Sequence, residues 1–258
     1  MKSTSRPIAA FLSVALAIVV ASAGGSTNAQ PAAAPTWLRV DTIRVKPESW
    51  AEYRAIERDE VIPALKKAGT PYRAAWTVAE FGPAYQLTLV RPVADFGIYD
   101  TGDSFSRSLG PREAERLRDR LRRCMLSRET AALLQRSDLS VVEAGRPFAV
   151  VSTLTVAIGR DQEYEAFLRE TLPAVRKAGV AYGVYQRVYG PTAWLLVQNL
   201  DSLSQLAHPT PGLFRAYGQE EADRRLGQLS GVVTSVDREV LRFDPELSFS
   251  APPPPSAR

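Results

Sequence analysis

The sequence predicts an α+β protein built from two fused copies of one β-α-β-β-α-β unit, their sheets packed face to face. Three observations carry this. The phrase EYRAIERDEVIPALKKAGTPYRAAWTVAEFGP, beginning at Glu52, returns as EYEAFLRETLPAVRKAGVAYGVYQRVYGP, beginning at Glu163. The matches include Tyr53/Tyr164, Ala55/Ala166, Glu60/Glu170, Pro63/Pro173 and Gly69/Gly179. In each copy the apolar pattern switches between the strand period of two and the helical period, in the same order. The chain has 258 residues, 45% hydrophobic and 23% charged, which suits two compact units of about a hundred residues.

Residues 1–29 read as a secretory signal. Lys2 and Arg6 supply the positive start, Ile8–Ala23 the apolar run, and Thr27 and Ala29 the small-x-small pattern that places cleavage after Ala29. A retained anchor is the alternative, but the run falls short of the ~20 residues that span a bilayer. The mature protein is expected in the periplasm or secreted, free of the membrane. Net charge is +4. Basic residues interleave with acidic ones, as in REAERLRDRLRR at 112–123, so no block of like charge is available to hold a nucleic-acid backbone. Cys124 is the single cysteine. No internal disulfide can form, and core burial must hold the fold. Its setting beside Leu121 and Met125 reads as apolar packing.

The elements follow in order. Leu38–Val45 alternates as a strand. Pro47 ends it, and Ser49 is placed to cap a helix from about Trp50 to Ala68. Tyr53, Ile56, Val61, Ala64 and Leu65 share the apolar face of that helix; Pro63 is expected to kink it and Gly69 to stop it. Tyr72–Glu80 and Tyr85–Val90 form a hairpin around Gly82-Pro83. A looser stretch at 95–110 precedes an arginine-rich amphipathic helix, Pro111–Met125, whose Arg and Glu pairs form a solvated face. Residues 129–135 are ambiguous by propensity. They are assigned as a strand because Ser137-Asp138-Leu139-Ser140 matches Pro245-Glu246-Leu247-Ser248, which follows the β-rich run 232–243. A linker at 143–147 leads to the second copy. There the strand is Phe148–Val156, the N-cap Asp161 and the helix Gln162–Ala178. Ala181–Tyr189 and Ala193–Asn199 form the hairpin, followed by a helix at Gly212–Gly227 and a last strand ending near Phe243. The units are thus 36–142 and 148–249, with a proline-rich tail at 250–258.

The unit has the split-βαβ, ferredoxin-like order, an antiparallel sheet with both helices on one face. The other face carries large apolar groups and must be covered. The twin sheet is the nearest partner, giving an internal pseudo-dimer that closes into an α/β barrel.

Two such units in one chain resemble the dimeric α/β-barrel superfamily, and within it NIPSNAP-like domains. The likeness rests on the Glu-Tyr helix, Ile62–Gly69, Trp76 and Glu80-Phe81-Gly82-Pro83. In the second copy it rests on Leu172–Val175, Gly179 and Tyr189-Gly190-Pro191. It covers most of residues 38–249 and implies the fold; NIPSNAP-like domains offer no catalytic residue to transfer. The wider superfamily implies two enzyme classes, cofactor-independent monooxygenases acting on aromatic polyketides and haem proteins. Chlorite-dismutase-like members are tandem units with a haem-ligating histidine on the first helix of the second unit. Here Gln162–Ala178 contains no histidine, so neither haem nor another cofactor is expected.

Chemistry-bearing residues are few. His208 could act as a base or ligand, but no triad partner or metal-ligand spacing accompanies it. The chain has no phosphate-binding glycine loop. Tyr72, Trp76, Tyr182, Gln186 and Trp194 lie on the hairpin strands, and some are expected to point between the sheets. There they would line a pocket, with His208 as a further candidate, for a small apolar or aromatic molecule oriented by Gln186 or a tyrosine hydroxyl. The plainer reading is that they fill the core. Arg44, Arg91 and Arg187 could meet an acidic ligand, although strand arginines ordinarily face solvent. The sequence therefore predicts a binding module. A cofactor-independent oxygenase and a structural protein with a filled core are the alternatives, and homo-oligomerisation stays open.

Overall fold

The computed structural model describes residues 36–100, 102–141, 146–207 and 212–250. The signal segment, His208 and residues 251–258 of the tail lie outside them. In the first half, β1 (Thr36–Val45) leads into α1 (Trp50–Ile56), a π-helical turn (Glu57–Val61) and α2 (Ile62–Lys67). The hairpin is β2 (Tyr72–Val78) and β3 (Gln86–Val93); α3 (Ser104–Leu109) and α4 (Pro111–Cys124) precede β4 (Met125–Gln135). The second half runs β5 (Phe148–Val156), α5 (Asp161–Lys177), β6 (Gly183–Tyr189), β7 (Ala193–Leu200), α6 (Gly212–Tyr217), α7 (Gln219–Gly227) and β8 (Val233–Phe243). A two-residue strand, β9 (Phe249–Ser250), follows.

Several boundaries differ from those predicted. β4 begins at Met125 because it pairs with β1 along its length, and that pairing overrides the helical preference of its Ala and Leu residues. Gly218, at φ 78°, splits the predicted 212–227 helix into α6 and α7. Neither predicted capping side chain caps. A 3-10 turn, Pro47–Ser49, carries the chain into α1, and the Ser49 side chain makes no capping bond. Asp161 is the first residue of α5 and accepts instead from the Trp194 indole N–H at 2.9 Å.

Among the described residues every pairing between two of these strands is antiparallel. β4 pairs with β6 and β2 with β8, so the two sheets join at both edges, and the ring β1-β4-β6-β7-β5-β8-β2-β3 closes on itself. Closure leaves neither sheet an open edge. Side chains alternate between the barrel interior and the helices. The interior is packed by Leu38, Leu133, Val151, Leu195 and Leu241, with Tyr72, Trp76 and Tyr185 against them.

The last turn of each half is built into its twin. Leu139, which follows β4, is fully buried in the core beneath α5, and Leu247, which follows β8, is fully buried beneath α1 and α4. The neighbouring serines repeat the exchange. Ser140 Oγ accepts from the Val184 N–H on β6 and Ser248 Oγ from the Ala75 N–H on β2, both at 2.9 Å. The Asp-Leu-Ser/Glu-Leu-Ser match is thus a pair of reciprocal clamps.

The halves differ at one place in the first helix. Ala55 matches Ala166 and Glu60 matches Glu170, five steps along the first copy and four along the second. The extra residue widens the helix into the π turn, where the Ile62 N–H donates to the Glu57 carbonyl five residues back. Such turns accommodate single insertions and often mark functional sites. Proline is not the cause, because α5 carries Pro173 inside an unbroken α-helix.

Candidate functional site

The space between helices and sheet is treated differently in the two halves. In the second, Leu154, Tyr164, Phe167, Leu168, Val184 and Trp194 fill it, and all are buried. Tyr164 and Trp194 meet edge to face at 5.3 Å. In the first half a hollow of about 130 Å³ remains. Arg39, Asp41 and Ile43 of β1, Arg73 of β2, Leu89 and Arg91 of β3, and Met125 and Arg128 of β4 form its floor. Above them stand Tyr53, Glu57, Val61 and Leu65 from the first helix, Ser104 and Phe105 from α3, and Arg118 and Leu121 from α4. Asp103, just before α3, completes the wall.

Glu57 is the residue that most distinguishes this wall. Counted from Tyr53 and Tyr164, it falls level with Leu168, so a core leucine in one copy is a carboxylate in the other. Glu57 is buried, accepts from Tyr53 Oη at 2.9 Å and pairs with Arg73 Nη1 at 2.6 Å. Arg73, also buried, donates to the Leu247 carbonyl from Nε (3.1 Å) and Nη2 (2.8 Å). Burial, and then the Glu57 charge, push the Tyr53 phenol well above its usual pKa. It therefore donates as a neutral hydroxyl.

Asp41 anchors the other side. Its carboxylate receives Arg39 Nε (3.0 Å), Arg128 Nη2 (2.9 Å) and Thr130 Oγ1 (2.6 Å). Burial alone would raise its pKa, but these partners outweigh burial and hold it at about 2. The folded value lies below the unfolded one near 4. The resulting stability is complete above the unfolded pKa and is lost as pH falls through about 2. Asp41→Asn is expected to be less stable than the parent at pH 7 by on the order of 2 kcal/mol. The gap should close toward pH 2 in denaturant titrations; a gap that does not vary with pH contradicts the assignment.

Asp103 caps α3 through the Phe105 and Ser106 N–H groups (2.8 and 2.9 Å) and is ion-paired with Arg118. All three carboxylates are thereby taken by Arg39, Arg128, Arg73 and Arg118. Arg91 is left over. Its hydrogen bond among the described residues is to Ser104 Oγ, at 3.3 Å. Burial, and then repulsion from Arg39, lower its pKa.

The predicted pocket residues do not converge. Tyr72 and Trp76 face the barrel interior, where they pack against its cluster, Trp76 meeting Phe243 edge to face at 5.3 Å. Trp194 and Tyr182 belong instead to the second half's helix-facing core. Gln186, two residues from Val184 on β6, shares that face. The hollow thus lies between helices and sheet, not between the sheets, because the interior is occupied by branched aliphatic and aromatic side chains. Arg91, expected at the surface, lines it. Among the described residues no group of His, Cys, Asp and Glu is placed to hold a metal ion. A second crevice of about 280 Å³, beside α2 and α4, is lined largely by exposed side chains such as Asp59, Lys67 and Glu113 and lacks convergent groups.

No family model matches the chain, and no curated protein matches it by sequence. Solved structures do match. An anthrone oxidase-like protein aligns at 12% identity over 86% of this chain and 96% of that one, with a TM-score of 0.58. Chlorite dismutase from Candidatus Nitrospira defluvii aligns at 14% identity over 82% and 92%, with a TM-score of 0.53. A NIPSNAP family protein from Agrobacterium tumefaciens aligns at 17% identity over 40% of this chain and 94% of that one, with a TM-score of 0.34. A haem does not fit beneath α5, whose sequence has no histidine and whose sheet-facing side is packed. The closed eight-strand ring, the helices outside it and the first two of these structures give one conclusion: the chain has the dimeric α/β-barrel fold, with both ferredoxin-like units on a single polypeptide.

Proposed function

We propose that this chain is a small-molecule-binding module whose ligand occupies the hollow between helices and sheet in the first half. The observation that carries this is the asymmetry of the duplicate. The described residues of the second half fill this space with an apolar cluster, whereas in the first half a partly polar hollow opens beside the apolar core. Selection for stability alone favours a filled core, since each void costs packing energy. A cavity of about 130 Å³ is close to the ~150 Å³ that admits a benzene ring. Ile43, Val61, Leu89 and Phe105 supply an apolar lining, so the ligand is one compact ring or a short branched chain. The test is mass spectrometry of the native protein, with Leu89→Trp as the filled-cavity control. A co-purified compound lost on Leu89→Trp is expected. A compound retained by that variant places the ligand elsewhere.

Catalysis in the same hollow is the second reading, favoured by the buried Tyr53–Glu57–Arg73 chain. It places a carboxylate where a bound phenol or enol could surrender its proton before reacting with oxygen, the cofactor-independent oxygenase type of chemistry. Oxygen uptake with a single-ring phenol such as catechol, abolished by Glu57→Gln in a folded variant, is the result this reading requires. Uptake unchanged in Glu57→Gln removes it.

We also propose export with removal of residues 1–29, on the strength of the signal pattern. N-terminal sequencing of the mature protein should begin at Gln30, and a start at Met1 contradicts cleavage.

A further inference from the structure

We infer that the ligand of the first-half hollow is a small organic acid and that Arg91 receives its carboxylate. This rests on the reading of the hollow as a binding site and names the chemistry of what it binds. Five guanidinium groups, those of Arg39, Arg73, Arg91, Arg118 and Arg128, line the cavity against three carboxylates, those of Asp41, Glu57 and Asp103. Each carboxylate is engaged by an arginine. Arg91 alone of the five has no carboxylate partner among the described residues, only the 3.3 Å bond to Ser104 Oγ.

Arg91 is partly buried and repelled by Arg39 and Arg128; the Asp41 carboxylate attracts it but is already ion-paired with those two, so a further anion would stabilise it. A planar guanidinium with free donors matches a carboxylate through two parallel hydrogen bonds. Inorganic phosphate would satisfy Arg91 but leave the apolar wall of Leu89, Phe105 and Leu121 unoccupied. An acid with a compact apolar body satisfies both. The second half supports the assignment. Val45 and Val156 end equivalent strands, so Arg39 and Asp41 fall level with Val150 and Ser152. The copy whose space is packed by an apolar cluster also lacks these charges.

The test uses the mature chain and three probes, benzoate, benzamide as its neutral counterpart and inorganic phosphate. Binding is followed by calorimetry and by the NMR signals of Tyr53 and Phe105. Benzoate should bind at least about tenfold more tightly than benzamide, the discrimination expected when a buried charge would otherwise stay unpaired. Phosphate should bind more weakly than benzoate. Arg91→Met should weaken benzoate binding far more than benzamide binding and so erase the preference for benzoate. Without ligand the same variant should melt about 2–4 °C higher, because burial and repulsion from Arg39 outweigh the attraction of Asp41 for this charge. Arg91→Lys, which keeps the charge but loses the fork, should bind benzoate with intermediate affinity and serves if the methionine variant does not fold. Benzamide binding as tightly as benzoate overturns the acid assignment while leaving the hollow a binding site. Phosphate outcompeting benzoate overturns it in favour of a simple anion site. Failure of benzoate and benzamide alike to shift Tyr53 and Phe105 overturns the reading of the hollow and this inference with it.

Discussion

Arg73→Ala is expected to destabilise the fold by about 3–5 kcal/mol, the range for breaking a buried ion pair from one side. Arg73 is 2% exposed at its side chain and Glu57 4%, with 2.6 Å between them. The substitution orphans two buried acceptors together, the Glu57 carboxylate and the Leu247 carbonyl. Neither can turn to water, because Glu57 sits on the π turn and Leu247 is buried in the first-half core. A loss of this size is a large share of the ~5–15 kcal/mol by which domains are stable. The pair need not itself add net stability, since apolar groups of similar volume often replace buried pairs without loss. The second half lacks the pair, with Leu168 level with Glu57 and Gly183 level with Arg73. The double variant Glu57→Leu/Arg73→Met should therefore recover most of what Arg73→Ala loses, while forfeiting the polar wall of the hollow. Urea unfolding of the single and double variants measures both. A loss below about 1 kcal/mol for Arg73→Ala, in the range of a surface pair, contradicts the picture of a sealed ion pair.

The fold was legible because duplication leaves a signal that propensity alone does not. The match around Leu139 and Leu247 identified β4 as a strand against its Ala-Leu composition. The aromatic positions were legible only by alternation. Alternation settles which residues share a face and not which face meets the helices, so Tyr72 and Trp76 fell on one side of the barrel wall and Trp194 on the other. The site is less legible because it arises from divergence between the copies, whereas a repeat is recognised by what its copies share. The offset between Ala55/Ala166 and Glu60/Glu170 is present in the sequence as a one-residue insertion, and the π turn begins at Glu57, which stands where the second copy has the core residue Leu168. Arg91 gave no comparable sign. A strand arginine ordinarily faces solvent, and only the α3 segment folded over β3 brings Ser104 onto it. The exchange of Leu139 and Leu247 was likewise invisible locally, since nothing in a short Asp-Leu-Ser phrase says whose core its leucine enters.

That exchange carries the second large prediction. Leu139→Ala and Leu247→Ala should each cost about 2–5 kcal/mol, as for other fully buried leucines. The damage should appear on the far side of the molecule. Leu247 lies with Ile43, Tyr53, Leu65 and Leu121, so its truncation should speed amide exchange in β1 and α1 before β5 and α5. Leu139 lies with Tyr164, Phe167 and Trp194 and should do the reverse. A split chain sharpens the test. Residues 36–142 made alone would lack Leu247 and the Ser248 clamp on Ala75, and β2 and β4 would lose their partners β8 and β6. That fragment should stay unfolded until residues 148–249 are added, and the mixture should then regain one cooperative transition. Two independent transitions in the intact chain, or amide exchange confined to the mutated half, would mean that each unit stands on its own core. The physical content of the duplication is the opposite: each unit completes its core with a leucine from the other, so neither is finished until both are.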